Sequence, residues 1–209
     1  MSSERLLLDG PEGKLEAVLE GTTENPRMIA IICHPHPLFG GTMDNKVVTT
    51  LSRAAREAEA AVVRFNFRGV GASQGAYSEG IGETEDLVAV HNWLSKRYPG
   101  LPFWLAGFSF GTFVAARGAE ILAANGSGPK ALFLVAPAVH NYPFDEIESV
   151  GCPVTVVQGE DDEVVPVDKV FRWVETTPLA PDLIRFPESG HFFHGHLLEL
   201  RDVAASRLP

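Results

Sequence analysis

The sequence predicts an α/β fold, a mostly parallel eight-stranded sheet with helices on both faces, and three observations carry that prediction. First, several strand candidates are apolar along their whole length: residues 27–33 (RMIAIIC), 130–139 (KALFLVAPAV) and 153–158 (PVTVVQ). Strands of that kind are buried on both faces, as in parallel sheets covered by helices. Second, they alternate with stretches whose apolar residues recur at helical spacing, the order of strand–helix–strand units. Third, breaker-rich loops follow the strands, and open α/β sheets bind their ligands at those carboxyl ends. A chain of 209 residues, 45% hydrophobic and 21% charged, suits one domain, 1–209, with a full core.

The elements follow in order. Residues 5–9 (RLLLD) and 14–20 (KLEAVLE), joined by Gly10-Pro11-Glu12-Gly13, predict an antiparallel hairpin at the sheet edge, with Leu15, Ala17 and Leu19 alternating against charged neighbours. The strand over 27–33 runs into a loop dense in breakers, His34-Pro35-His36-Pro37-Leu38-Phe39-Gly40-Gly41. A helix is expected over 43–60, a strand over 61–67, and a second breaker loop over 68–75 (RGVGASQG). Leu87, Val90, His91 and Leu94 mark a helix over 83–97. A short strand at 102–106 (PFWLA) then leads to a helix over 112–124. After the strands at 130–139 and 153–158 come a short helix at 167–175, a last strand at 183–186 and a closing helix over 193–206, which takes in His194 and His196.

The chemistry concentrates at Gly107-Phe108-Ser109-Phe110-Gly111, a G-x-S-x-G string between a strand and a helix. The string alone arises by chance about once in ten chains of this size. Its placement is what matters, because a strand turning directly into a helix leaves the serine on a tight, strained bend with its hydroxyl exposed. Side chains at Gly107 or Gly111 would hold strand and helix apart. A serine hydroxyl needs a base to take its proton, and the base needs a carboxylate to fix its tautomer. Downstream stand Gly159-Glu160-Asp161-Asp162-Glu163 after one strand and Ser189-Gly190-His191 after the last, so the order is serine, acid, histidine.

Other functions are disfavoured. A net charge of −10 repels phosphate backbones and anionic membrane surfaces, so neither nucleic acid nor membrane is an expected partner. No apolar run reaches membrane-spanning length, and Met1-Ser2-Ser3-Glu4-Arg5 lacks a secretory layout, so a cytoplasmic location is expected. Cys33 and Cys152 read as buried thiols. His34, His36, His191, His194 and His196 lack a completing Cys or carboxylate at metal-site spacing, so no metal is expected. Gly69-Val70-Gly71 lacks the third glycine and acidic residue of a dinucleotide site, and no cofactor is implied. Arg64, Asn66 and Arg68 lie near the mouth of the sheet, where ion pairing or loop bracing is the favoured role.

The chain resembles the α/β-hydrolase superfamily over nearly its whole length. Gly107–Gly111 looks like the nucleophile elbow, Gly159–Asp162 is similar to the G-x-x-D acid loop, and Ser189-Gly190-His191-Phe192-Phe193 to the histidine loop. Arg68–Ser73 resembles an R-G-x-G-x-S loop frequent there, and residues 33–48 (CHPHPLFGGTMDNKVV) look like the signature of a group of small bacterial hydrolases. The resemblance implies Ser109 as nucleophile, His191 as general base and acid, and Asp162, at the fourth place of G-x-x-D, as the orienting carboxylate in preference to Asp161. It further implies an oxyanion hole with the Phe110 amide as one donor. Pro35 and Pro37 have no N–H, which leaves Leu38, the preferred second donor, or His36. Phe39, Phe108 and Tyr142 are candidate substrate contacts. Many relatives insert a cap after the sixth core strand, but residues 139–153 are too few to build one, so the site should be lidless and open. The expected activity is that of a carboxylesterase-type serine hydrolase on small-molecule esters, through an acyl-enzyme. A thioesterase, a small peptidase or amidase, or a non-catalytic binding module of the same fold are the alternatives.

Overall fold

A computed structural model describes residues 2–209, and its one sheet holds eight strands in the order β1-β2-β4-β3-β5-β6-β7-β8. β1 (Ser2–Gly10) and β2 (Gly13–Gly21) form the hairpin at the edge, turning at Gly13, whose φ of 122° favours glycine. β2 runs antiparallel to β4 (Ala60–Phe65), and every remaining pairing is parallel. β3 (Met28–Cys33), β4, β5 (Phe103–Phe108) and β7 (Val154–Gly159) are buried at every position, as largely apolar strands covered on both faces should be, with Arg64, Thr155 and Gln158 as buried polar exceptions. β6 (Ala131–Val135) lies between β5 and β7, and β8 (Asp182–Phe186) closes the far edge.

Two cores flank the sheet, because successive side chains of a strand point to opposite faces. Ile31, Val63, Leu105, Leu134 and Val156 belong to one, shared with α2 (Ile81–Arg97), α3 (Phe110–Ala124) and α4 (Val167–Thr176) through Leu87, Val114 and Val170. Ile32, Val62, Ala106, Phe133 and Val157 belong to the other, shared with α1 (Lys46–Glu57) and α5 (Leu197–Ala205) through Leu51 and Leu200.

Several boundaries differ from expectation, each for a local reason. α1 starts at Lys46 rather than at 43, because the Asn45 side chain caps it by accepting from Val47 N at 2.8 Å. β6 stops at Val135 because Ala136 turns to a φ of 49° before Pro137. α5 begins only at Leu197, since Phe193 and Gly195 take φ values of 54° and 84°, which no right-handed helix contains. His194 and His196 therefore precede the closing helix, with His196 at its N-cap.

Candidate active site

The nucleophile candidate sits where β5 ends and α3 begins. Ser109 has φ 54° and ψ −119°, with its N–H donating to Val135 O at 2.9 Å. Its carbonyl accepts from Thr112 N at 3.0 Å and from the Thr112 hydroxyl. Held from both sides, this non-glycine residue is kept in a conformation that costs about 1–3 kcal/mol. The flanking glycines are needed for closeness. A Cβ at Gly107 would collide with the carbonyl of Gly111, so strand and helix meet there as expected. A Cβ at Gly111 would instead strike the carbonyls of Cys33 and His34, so that glycine admits the end of β3 rather than of β5.

The acid and histidine loops leave β7 and β8, which pair in parallel register from Thr155–Asp182 to Gly159–Phe186. Asp161 N donates to Ser189 O at 3.1 Å, pinning the two loops together. In that frame His191 Nδ1 lies 2.9 Å from Asp162 Oδ2, with side-chain exposures of 3% and 0%. Asp161, the rival acid, is exposed and touches the histidine loop only through its backbone. Burial pushes the Asp162 carboxyl upward. The hydrogen bond and charge of His191, with the N–H groups of Val164 and Val165, outweigh it and hold the carboxyl below its ordinary value. With Nδ1–H given to Asp162, the imidazole keeps its lone pair on Nε2. The ring is supported by Phe108, 5.0 Å between centroids, which also brings His191 beside the residue preceding Ser109.

Glu163 is more than a solvated loop acid. Its Oε2 accepts the backbone N–H of His191 at 3.0 Å, and a Cβ at Gly190 would lie 2.7 Å from that oxygen. Gln158 donates from Nε2 to Asp162 Oδ2 at 3.0 Å. Neither residue is singled out by the sequence, because an acid in an acidic loop and a glutamine closing an apolar strand carry no motif.

The loop after β3 divides its histidines between two tasks. His34 is fully buried; its Nδ1 faces Pro35 O at 2.6 Å and its Nε2 accepts Phe67 N at 3.0 Å, so the ring ties the loop after β3 to the loop after β4. Burial lowers its pKa to about 4. His36 caps the 3-10 turn Pro37–Phe39, with Nδ1 accepting Leu38 N at 3.2 Å. The Leu38 amide, expected as the second oxyanion donor, is thus committed to the His36 side chain. The amide of His36 has no acceptor among the described residues.

The candidate substrate contacts separate. Phe108 is fully buried in the core beneath α1 and α5, so it supports His191 and lines no groove. Phe39 is 85% exposed, its ring 4.6 Å from that of His36. Tyr142 packs on Phe110 at 5.2 Å, and its hydroxyl lies 3.1 Å from that of Tyr77, which the sequence does not single out. Both tyrosines, with Phe113, Ile81, Glu79 and Arg117, line a cavity of about 560 Å³. Arg64, Asn66 and Arg68 serve as braces: Arg64 pairs with Glu20 at 2.6 Å, Arg68 with Asp86 at 2.8 Å, and Asn66 bonds Glu16 at 2.8 Å. Among the described residues no helix is long and apolar enough to cross a membrane.

Sheet order and elbow define a class, a hydrolase of the α/β-hydrolase fold. No family model matches the chain. Solved structures do: XC6422 from Xanthomonas campestris, described as an a/b serine hydrolase without lid, is 40% identical with a TM-score of 0.90 over 99% of this chain and 93% of that one. A serine hydrolase homologue from Coxiella burnetii is 42% identical, with a TM-score of 0.91 over 99% and 97%. The uncharacterised protein RP471 of Rickettsia prowazekii is 34% identical over 79% of this chain and 70% of its own length. The chain spans only about a third, 36%, of the Danio rerio lysophosphatidylserine lipase ABHD12, to which 139 residues are 29% identical. The chain belongs to the α/β serine hydrolases. Like the Xanthomonas structure it is lidless: between β6 and β7 lies one short 3-10 turn, Phe144–Glu146, whose Phe144 is buried in the core with Ile147 and Val150.

Proposed function

We propose that this hydrolase cleaves small carboxylic esters through an acyl-enzyme on Ser109. The observation that carries the reading is the buried Asp162–His191 hydrogen bond, 2.9 Å long, on an imidazole that packs against Phe108, the residue before a serine held in a strained elbow. In this mechanism Ser109 Oγ attacks the ester carbonyl carbon while its proton passes to His191 Nε2. The oxyanion forms against the amides of Phe110 and His36, two fixed donors that are each worth roughly 3 kcal/mol in the transition state. The C–O bond to the alcohol then breaks, and His191 returns the proton to the departing oxygen. Water, deprotonated by His191, attacks the acyl-enzyme; the acid leaves and Ser109 recovers its proton. Asp162 holds the imidazole in the required tautomer and stabilises its charged form throughout.

The test pairs a fluorophosphonate probe with p-nitrophenyl esters, thioesters and amides of one acyl group. Wild type labels at Ser109 and favours the ester. Ser109→Ala neither labels nor turns over, and melts no lower than wild type, because alanine keeps the bend and loses only the hydroxyl. Retention of more than a few percent of kcat by that variant would overturn the assignment.

A further inference from the structure

We propose that Gln158 is a positioning residue of the catalytic pair, acting through the Asp162 carboxylate rather than on substrate; the role rests on the reading of Asp162 and His191 given above. Gln158 is fully buried near the end of β7, four residues before the acid. Its Nε2 donates to Asp162 Oδ2 at 3.0 Å and to Gly159 O at 3.0 Å. Its Oε1 is buried with no hydrogen-bond partner among the described residues. The amide cannot be turned round, since Oε1 would then face two acceptors. Both hydrogen bonds of the side chain therefore come from its N–H₂ end, one to the backbone and one to the Asp162 carboxylate, while the oxygen is left without a partner among the described residues.

Four donors share the Asp162 carboxylate. Val164 N at 2.9 Å and Val165 N at 2.7 Å take Oδ1, while Gln158 Nε2 and His191 Nδ1 take Oδ2. Two donors on each oxygen fix the plane of the carboxylate, so the remaining direction on Oδ2 points at the imidazole. A neutral donor on the shared oxygen also withdraws charge from it, which limits how strongly the acid draws a proton onto the pair. Removing Gln158 should loosen the orientation and make Asp162 more basic. The charged imidazole then gains stability, and the base form is reached only at higher pH. Other groups facing the pair are Glu163, on the His191 backbone, and His140 on the loop after β6, within electrostatic reach of Asp162, His191 and Lys169 of α4. Gln158→Met leaves all of these in place.

The experiment measures kcat and KM for one p-nitrophenyl ester from pH 5 to 9 in wild type, Gln158→Met and Gln158→Glu, with circular dichroism and melting to verify folding. Gln158→Met should lose roughly tenfold in kcat with KM within twofold, and the acid limb of its profile should move up by about half to one pH unit. Gln158→Glu sets a second carboxylate against Asp162, which should push the limb further in the same direction and keeps the test open if the methionine variant does not fold. An unmoved acid limb in a folded variant overturns the role of Gln158. Loss confined to KM does the same. Fluorophosphonate labelling run alongside separates the two ideas: wild type that labels at Ser109 while the limb stays still loses only Gln158, whereas wild type that does not label loses the serine mechanism and this role with it.

Discussion

At the scale of single residues, two neighbouring aspartates make opposite use of the same loop. Asp162 is buried on His191, and Asp161 is exposed. Asp162→Asn should therefore lower kcat by two to four orders of magnitude, since an amide at this place favours the wrong imidazole tautomer, an effect of about 10⁴ in a trypsin-type triad. Asp161→Asn should stay within about threefold of wild type, as surface changes away from such contacts do little. Steady-state kinetics on both variants check this, and the reverse ranking would sink the choice of acid. That preference was legible in the sequence because the fourth place of G-x-x-D is a spacing. Glu163 and Gln158 were not legible, because their roles come from what β7 and β8 bring together across the sheet. The hydrogen bond from the Leu38 amide to the His36 side chain was not legible either, because nothing in the string HPHPLFGG shows that this side chain will turn back onto the chain.

At the scale of elements, His34 joins the loops leaving β3 and β4, and it does so as a neutral ring. Burial lowers its pKa to about 4 from an ordinary 6.5. The folded state therefore declines a proton that the unfolded chain accepts. Stability from this site is whole above pH 6.5 and drains away as pH falls toward 4, by about 3 kcal/mol in all. Urea unfolding at pH 7 and pH 4 should show His34→Gln losing that much less stability than wild type over the interval, even if it starts lower. Equal losses would mean that the ring is not held neutral. Element existence and type were legible throughout, because apolar runs and helical spacing are local signals. Ends were less so. Phe193 and Ala136 adopt positive φ without being glycine, and only the tertiary setting of the turns holds them there.

At the scale of the molecule, the sequence revealed the layered class but not the strand order. Placing β4 between the hairpin and β3 depends on crossovers that leave no trace in either strand's composition. The missing cap was legible as simple length, since residues 139–153 are too few to form one. Its consequence is testable with a C2 to C16 ester series. Without a lid, each added methylene should contribute less than the ~0.8 kcal/mol of full burial. Rates should therefore favour short acyl groups and change smoothly through the substrate's solubility limit. A long-chain optimum, or a jump once an interface forms, would show that the cavity beside Tyr77 and Tyr142 seats a chain after all.

The elbow at Ser109 has a further consequence. Its backbone, at φ 54° and ψ −119°, lies where only glycine rests without strain. A glycine there would relieve about 1–3 kcal/mol while adding somewhat less in unfolded-chain entropy. A glycine variant, which lacks the proposed nucleophile, should thus be more stable than the serine form. Libraries of the protein sorted for heat tolerance alone would drift toward silence at position 109, and only a selection that also demands turnover would keep the serine.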